Sequence, residues 1–251
     1  MATNSKIEWT ESTWNPITGC TKFSLGCQNC YAERMAKRLH AMGNKNYRNC
    51  FTPTFHPHML DKPLIWKKSR MIFVNSMSDT FHENIDDKYI LKIFRVMNIA
   101  RWHTFQVLTK RTERLKRIAK SLNWTPNIWL GVTIESNDYI NRIEDLISCN
   151  ASTRYISFEP LLSSINNVNL ENINWVIVGG ESGPGARIMQ KDWVVEIRNQ
   201  CQNNNVPFFF KQWGGVNKKK SGRVLENKIW DEMPVSPNQR MNTDKVACHG
   251  L

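Results

Sequence analysis

Short apolar runs alternate with longer amphipathic stretches through most of the chain. Six runs rich in β-branched and aromatic residues lie at positions 71–74, 105–108, 128–132, 155–158, 175–178 and 207–210. Between them, apolar positions recur with helical spacing at 89–99, 111–122, 139–146 and 191–203. Strands that alternate with helices in this way predict parallel β–α–β units.

The N-terminal part of the chain follows a different pattern. Residues 7–9 and 13–17 predict a short strand or an extended segment, and residues 31–42 predict a helix whose apolar positions recur at three- and four-residue intervals. Residues 43–68 are rich in Asn, Pro and His and predict a long loop. A loop of that length is typical of a functional or mobile segment.

Six strands, or seven with the N-terminal one, favour a barrel over an open sheet. We therefore expect an α/β fold, a partial or complete (β/α) TIM-like barrel with an N-terminal cysteine loop and a small C-terminal appendage. Residues 1–215 are assigned to the barrel domain, and residues 216–251 to a C-terminal hairpin and tail.

A charged residue follows each of the six predicted strands. These residues are Asp79, Lys110, Glu135, Glu159, Glu181 and Lys211. Charged residues also end strands simply because loops contact water. Six in succession favour a shared site, because the carboxyl ends of barrel strands meet at one mouth. The candidate catalytic residues are His82, Glu159, Glu181 and Lys211, although a single His near a strand end is also a common structural residue.

Charge and composition point to a polyanionic partner. The formal net charge is +12 and the isoelectric point is near 9.5, so we expect nucleic acid or a nucleotide-like substrate. The sequence has no apolar run near 18 residues and no secretory leader, which predicts a cytoplasmic protein that does not enter a membrane. Seven cysteines without an export signal predict reduced thiols.

Three of these cysteines form a compact motif. Cys20, Cys27 and Cys30 have the spacing C-x6-C-x2-C and lead directly into the first predicted helix. Three thiolates are one ligand short of a closed structural site, so a metal held by them keeps one coordination position open. Zinc is an alternative to an iron–sulfur cluster, and the candidates for its fourth ligand are Cys50, His40 and His56.

The cysteine arrangement resembles that of the radical S-adenosylmethionine superfamily. Its (β/α)6 barrels begin with a cysteine loop after the first strand, usually spaced C-x3-C-x2-C, whereas six residues separate Cys20 from Cys27 here. The resemblance implies a [4Fe-4S] cluster on Cys20, Cys27 and Cys30, together with S-adenosyl-L-methionine. It also implies that Tyr31 lies beside the adenine.

Within that superfamily the chain is similar to the spore photoproduct lyase branch. This likeness implies that Ser78 and Asp79 receive the methionine amino group and that Lys110, after Thr109, meets the methionine carboxylate. A lysine and an aspartate suit a zwitterion because each forms a charge-assisted hydrogen bond with it. The next strand adds the remaining expected cofactor-binding residues, Thr133 and Glu135.

Motifs throughout residues 5–215 resemble an uncharacterised phage-associated family, the Gp37/Gp68 proteins, which are DUF5131-like. These motifs are Cys-Tyr-Ala-Glu, Thr-Lys-Arg, Phe-Glu-Pro-Leu-Leu, Gly-Gly-Glu-Ser-Gly and Phe-Lys-Gln-Trp-Gly. This resemblance implies no activity.

Taken with the charge, the motifs predict a radical S-adenosylmethionine enzyme that repairs a lesion or modifies a base in nucleic acid. Its electron donor would be a flavodoxin or a ferredoxin. The alternative is a non-enzymatic, phage-associated nucleic-acid-binding protein stabilised by zinc or a cluster. In either case Trp213 is expected to stack on a base, beside a basic set made up of Arg111, Arg114, Lys116 and Arg117.

Overall fold

The computed structural model describes residues 5–234. The strands are β1 (Ser12–Trp14), β2 (Ile17–Thr18), β3 (Thr54–Phe55), β4 (Met71–Val74), β5 (Thr104–Thr109), β6 (Ile128–Thr133), β7 (Thr153–Phe158), β8 (Trp175–Gly179), β9 (Phe208–Gln212), β10 (Val224–Leu225) and β11 (Lys228–Ile229). The α-helices are α1 (Tyr31–Ala41), α2 (Lys62–Ile65), α3 (Asp87–Ile99), α4 (Thr112–Ala119), α5 (Arg142–Ile147), α6 (Lys191–Asn203) and α7 (Lys218–Ser221).

Seven parallel strands form the main sheet, in the order β1-β4-β5-β6-β7-β8-β9. Each strand pairs with the next one along the chain, so the sheet winds in a single direction and curls into a half-barrel. Strands β1 and β9 are its two edges within the described part of the chain. The six predicted strands and the N-terminal seventh are confirmed, and the barrel is partial.

Both faces of the half-barrel are buried. Leu130 and Val176 point to the core shared with the helices, whereas their neighbours Trp129 and Trp175 belong to a second cluster completed by Trp9, Tyr155, Ile177 and Phe209. Strands buried on both sides read as continuous apolar runs in the sequence. The strands were predictable for this reason.

The predicted helices cover the sheet. Asp86 is the N-cap of helix α3, and its carboxylate accepts a 2.7 Å hydrogen bond from the Lys88 N–H. Its inward face buries Ile90, Ile93 and Met97, as an amphipathic helix on a sheet requires. Helix α6 has the predicted bounds, residues 191–203.

Residues 43–68 are more ordered than a plain loop. Strand β3 pairs antiparallel with β2, and α2 lies against α3. His56 and Met59 are buried, and the Trp14 indole donates a 2.7 Å hydrogen bond to the Met59 carbonyl. Each piece spans only a few residues, too short to produce a hydrophobic period in the sequence.

The predicted C-terminal hairpin is present as β10 and β11, which are antiparallel. Leu225 and Trp230 are buried in the main core, and the Phe210 N–H donates a 2.9 Å hydrogen bond to the Trp230 carbonyl. The hairpin therefore packs onto the half-barrel. Cys248 and the predicted tail from residue 235 onward lie outside the described residues.

None of the helices within residues 5–234 combines the length and the apolar character needed to cross a membrane.

A small residue in β6 makes room for a large one in β7. An added Cβ at Gly131 would lie 2.4 Å from the ring of the fully buried Tyr155, whose hydroxyl donates to the Val107 carbonyl at 3.1 Å. We expect Gly131→Ala to lower the free energy of unfolding by about 1–3 kcal/mol, because the ring cannot retreat within a packed core. Urea unfolding measures this change.

The same substitution in a Tyr155→Leu background is the control. It should cost less than half as much there, because the clashing ring is absent. An equal cost in both backgrounds would show that the strain has another origin.

Candidate active site

A cavity of about 380 Å³ lies at the carboxyl ends of the main-sheet strands. All the predicted site residues except His82 and Glu135 line it. These are Cys20, Cys27, Cys30, Tyr31, Ser78, Asp79, Lys110, Thr133, Glu159, Glu181 and Lys211. The mouth of the half-barrel thus collects side chains separated by up to 191 residues of sequence, from Cys20 to Lys211.

The backbone after β2 places the cysteine loop over this mouth. Gly19 has a φ of +85°, and its N–H donates to the Met77 carbonyl at 2.9 Å. A Cβ there would come within 2.2 Å of the Thr52 carbonyl oxygen, so only glycine fits. Cys20 follows directly, and Cys30 is the N-cap of α1. Both ends of the loop are therefore fixed.

The Glu135 carboxylate holds the middle of the cysteine loop in place. It is fully buried and accepts hydrogen bonds from Lys110 Nζ, Ser24 Oγ and Arg142 Nη1, the last at 2.8 Å. Burial raises the pKa of this carboxyl, but Lys110 and Arg142 outweigh it and hold the pKa below its usual value. Gly26 packs on Glu135, since an added Cβ would lie 2.5 Å from Glu135 Cγ.

Glu181 joins the same loop to the opposite side of the mouth. Its carboxylate accepts a 3.0 Å hydrogen bond from Asn29 Nδ2 and three from Arg187, at 2.6–3.0 Å. Arg187 Nη2 also donates to the Leu25 carbonyl at 3.0 Å. Burial raises the pKa of Glu181, but the hydrogen bonds from Arg187 and Asn29 prevail and lower it to about 2. Glu181 therefore holds the cysteine loop in place, whereas the sequence suggested it as a candidate catalytic residue.

Asp79 is held rigidly at the mouth. Its carboxylate accepts from the Phe81 N–H at 2.9 Å, from the Lys110 N–H at 3.1 Å and from the single Thr109 hydroxyl, which lies within 3.0 Å of both oxygens. Three hydrogens occupy a carboxylate that offers about four lone-pair positions. Each of the two oxygens has two such contacts, so this chain fixes the orientation of the carboxylate.

Two other predicted cofactor residues bond to the backbone. Ser78 Oγ donates to the Ile17 carbonyl at 3.0 Å, and the Tyr31 hydroxyl donates to the Ser76 carbonyl at 2.7 Å. Both side chains still line the cavity, as does Thr133.

Arg111 does not belong to an exposed basic set. It is 3% exposed, pairs with Glu83, and its Nη2 donates to the Thr21 carbonyl at 3.0 Å and approaches Cys20 Sγ at 3.7 Å. The prediction of a nucleic-acid contact for Arg111 was therefore wrong. The sequence alone does not distinguish a buried arginine that supports a loop from an exposed arginine that contacts nucleic acid.

His82 supports the same loop from outside the cavity. Its Nδ1 accepts from the Asn84 N–H at 3.1 Å, so Nε2 carries the proton and donates to Thr21 Oγ1 at 2.9 Å. Burial, followed by Arg111, lowers the pKa of this imidazole. The structure places His82 as a neutral support beside Cys20.

A second polar group occupies the part of the cavity built by β7 and β9. Lys211 Nζ and Glu159 Oε1 are 2.7 Å apart, and Ser157 Oγ donates to Glu159 Oε2 at 3.0 Å. Gln212 and Trp9 line the same cavity. The sequence identified Glu159 and Lys211 but not Ser157, Gln212 or Trp9. Ser157 lies inside an apolar run and Trp9 before one, so both resemble core residues, and Gln212 carries no charge that would single it out.

Trp213 does not line this cavity. Its indole donates to the Val224 carbonyl at 2.9 Å, and its ring packs on Phe210 with centroids 4.8 Å apart. The two residues before it, Lys211 and Gln212, line the cavity instead. Base stacking by Trp213 stays a prediction.

The three thiols have the chemistry of an iron–sulfur donor set. They line one cavity, and no trio of His, Cys, Asp or Glu within residues 5–234 is arranged to hold a single metal ion. The three suggested fourth ligands for zinc lie outside the cavity lining, and His56 and His40 are bonded to Thr18 and to the Tyr47 carbonyl. Burial raises the pKa of Cys20 to about 12, with Asp79 adding to the effect, so a metal binding there must displace protons.

Comparison with known proteins gives one match. The model of the family described as "Protein of unknown function (DUF5131)" matches residues 4–234, nearly the whole chain. No curated protein and no solved structure matches. The DUF5131-like resemblance is thereby confirmed, and the radical S-adenosylmethionine and phage resemblances stay predictions.

The lowered pKa of Glu181 makes its hold on the cysteine loop sensitive to acid. The folded-state pKa of about 2 lies below the usual value of about 4.3, so the charged form stabilises the fold above about pH 5, and this contribution is lost as the pH falls toward 2. We expect Glu181→Gln to lower the free energy of unfolding by about 2 kcal/mol at pH 7. The difference from the wild type should shrink steadily below pH 5.

Chemical unfolding at several pH values measures this, with the exposed Glu171→Gln as the matched control. A difference that is constant between pH 7 and about pH 3 would contradict a charged Glu181 carboxylate.

Proposed function

We propose that this chain, which belongs to the DUF5131 family, is a cytoplasmic radical S-adenosylmethionine iron–sulfur enzyme that acts on nucleic acid or a nucleobase. One observation carries the proposal. Three cysteine thiols, the Asp79 carboxylate and the Lys110 ammonium line a single cavity at the carboxyl ends of the sheet strands.

Cys20, Cys27 and Cys30 would hold the cluster. Three thiolates leave one cluster position for another ligand. Arg111, 3.7 Å from Cys20 Sγ, would offset part of the negative charge that accumulates there. Glu135 and Glu181 hold the loop on both sides of the mouth, so the three thiols keep their relative positions.

Asp79 and Lys110 would hold the amino acid part of S-adenosyl-L-methionine. Asp79 lines the cavity as an acceptor, and Lys110 Nζ uses one of its three hydrogens on Glu135. Together they offer an acceptor for an ammonium and donors for a carboxylate. When bound, the cluster and S-adenosyl-L-methionine supply radical chemistry, while this chain supplies binding, orientation and a site shielded from water.

The charge supports a nucleic-acid substrate, since a net +12 attracts polyanions over long distances. The electron donor would be a flavodoxin or a ferredoxin. Phe23 and Leu25, between the first two cysteines, expose 47% and 54% of their surface, which suits a transient protein contact at the cluster end.

Anaerobic reconstitution with iron and sulfide tests the cluster. We expect a brown protein with about four iron atoms per chain that cleaves S-adenosyl-L-methionine when reduced. Serine at Cys20, Cys27 or Cys30 should abolish both properties, whereas Cys50→Ser should retain the iron because Cys50 lies outside the cavity lining. Iron and sulfide analysis and chromatography of the cleavage products are the measurements.

A colourless protein that retains one zinc and leaves S-adenosyl-L-methionine intact would overturn the proposal. That result would favour the non-enzymatic nucleic-acid-binding alternative. Loss of the metal from Cys50→Ser would indicate a fourth cysteine ligand and therefore also zinc.

Lys110→Met tests the cofactor contact separately. Methionine retains the length of the side chain but removes the ammonium, and a charge-assisted hydrogen bond contributes about 1.5–3 kcal/mol. We expect affinity for S-adenosyl-L-methionine to fall about 10- to 100-fold, with the iron content unchanged.

Equilibrium dialysis of the reconstituted protein measures this affinity. Lys92→Met, at an exposed position of α3, is the matched control. Unchanged affinity in Lys110→Met would remove Lys110 from the cofactor site.

A further inference from the structure

The geometry points to a substrate subsite, distinct from the cysteine end, that recognises the lactam edge of a nucleobase. A lactam edge carries an N–H next to a C=O, as in uracil, thymine and guanine. We infer that Glu159 accepts from that N–H and that Lys211 donates to that C=O. The inference rests on the proposed function, because it identifies which class of base the enzyme would take.

The ion pair presents the complementary chemistry. Lys211 Nζ and Glu159 Oε1 lie 2.7 Å apart, so a donor and an acceptor stand side by side in the cavity lining. A lactam presents the complementary pair at a similar spacing, with its N–H facing Glu159 and its C=O facing Lys211. Lys211 is 19% exposed and Glu159 14% exposed in their side chains, which makes both reachable but poorly solvated.

Glu159 is held in one position. Ser157 Oγ donates to its second oxygen at 3.0 Å, and a Cβ at Gly179 would lie 2.9 Å from Oε1. The absence of a side chain at Gly179 therefore admits the carboxylate, and the serine orients it. A positioned acceptor is what hydrogen-bond discrimination between bases requires.

Glu159 also has more capacity for a ligand than the other acidic residues of the site. Glu181 accepts four hydrogen bonds, and Glu135 accepts from three partners. Glu159 has only Ser157 and Lys211 as partners among the hydrogen bonds and ion pairs of the described residues.

The walls of the cavity suit a flat ring. Ile7, Trp9, Phe73 and Leu108 line it, and Lys211 Nζ lies 5.9 Å from the centre of the Trp9 ring. Apolar and aromatic walls with a few fixed polar groups are typical of small-molecule sites.

Two unpartnered polar atoms belong to residues of the same lining. Trp9 is 3% exposed and Gln212 is 6% exposed. Neither the Trp9 indole N–H nor the Gln212 side-chain oxygen has a hydrogen-bond partner among the residues that the structure describes. Buried groups of this kind are costly when unpaired.

The first test varies the ligand and leaves the full-length protein unchanged. Uridine and 5-methyluridine retain the lactam N–H, whereas 3-methyluridine replaces it with a methyl group. Guanosine and 1-methylguanosine form a second pair. We expect the N-methylated member of at least one pair to bind at least about tenfold more weakly, as measured by calorimetric titration. Equal affinities within both pairs, or no binding of any of these nucleosides at millimolar concentration, would overturn the proposal.

The second test varies the protein. Lys211→Met and Glu159→Gln should each lower affinity for the preferred nucleoside at least about tenfold and erase its advantage over the N-methylated analogue. Lys92→Met and Glu171→Gln, at exposed positions, should retain that advantage. Thermal unfolding confirms that the variants are folded. Undiminished discrimination in folded Lys211→Met and Glu159→Gln would remove both residues from the subsite.

A variant with serine at all three loop cysteines separates this inference from the proposed function. Lactam discrimination that persists in it shows that the subsite does not need the cluster. Discrimination by the unsubstituted protein, when that protein assembles no cluster and leaves S-adenosyl-L-methionine intact, supports the subsite and refutes the radical enzyme. A protein that cleaves S-adenosyl-L-methionine but does not discriminate refutes the subsite alone. An oligouridylate that binds more tightly than uridine identifies a base within a strand as the source, and equal binding identifies a free nucleoside.

Discussion

A single buried carboxylate holds the candidate site together. Glu135 is fully buried, and its three partners come from separate parts of the chain: Ser24 in the cysteine loop, Lys110 after β5 and Arg142 in α5. A buried charge left without any charged partner destabilises a protein by about 3–5 kcal/mol. The cysteine loop, the end of β5 and helix α5 therefore all bond to Glu135. Cys20 and Cys27, on either side of Ser24, are held in place through that residue.

The half-barrel needs such hydrogen bonds between its loops because its sheet does not close within the described residues. A closed barrel fixes every strand end by hydrogen bonds on both sides, whereas β1 and β9 are edges here. The cysteine loop extends from the β1 side of the sheet to the segment after β8, where Asn29 and Arg187 meet on Glu181. Side-chain contacts between loops thus close the cavity on the side where a complete barrel would have further strands.

The sequence was informative wherever a feature depended on local pattern. The seven strands, the helices α1, α3 and α6, and the gathering of strand-end residues at one mouth all follow from hydrophobic period and from β–α–β geometry. The sequence did not show which charged residues form ion pairs. Glu159 and Lys211 lie 52 residues apart in the sequence, and only the curl of the sheet brings Lys211 Nζ to 2.7 Å from Glu159 Oε1. Burial of Arg111, and the use of Ser157 and Gln212 in the cavity lining, likewise depend on how the loops cover the strands.

The pairing of charges has a consequence for how a substrate arrives. Asp79, Glu159 and Glu181 line the cavity together with only two cations, Lys110 and Lys211. The lining therefore has a net charge of −1, and the positive excess of the chain lies elsewhere. For the nucleic-acid substrate proposed above, capture and recognition would be separate events. Capture would depend on a field that physiological salt screens within about 8 Å, whereas recognition would occur among partly buried groups that salt screens less. Under that proposal, ionic strength would change how often a strand binds but not which base is preferred.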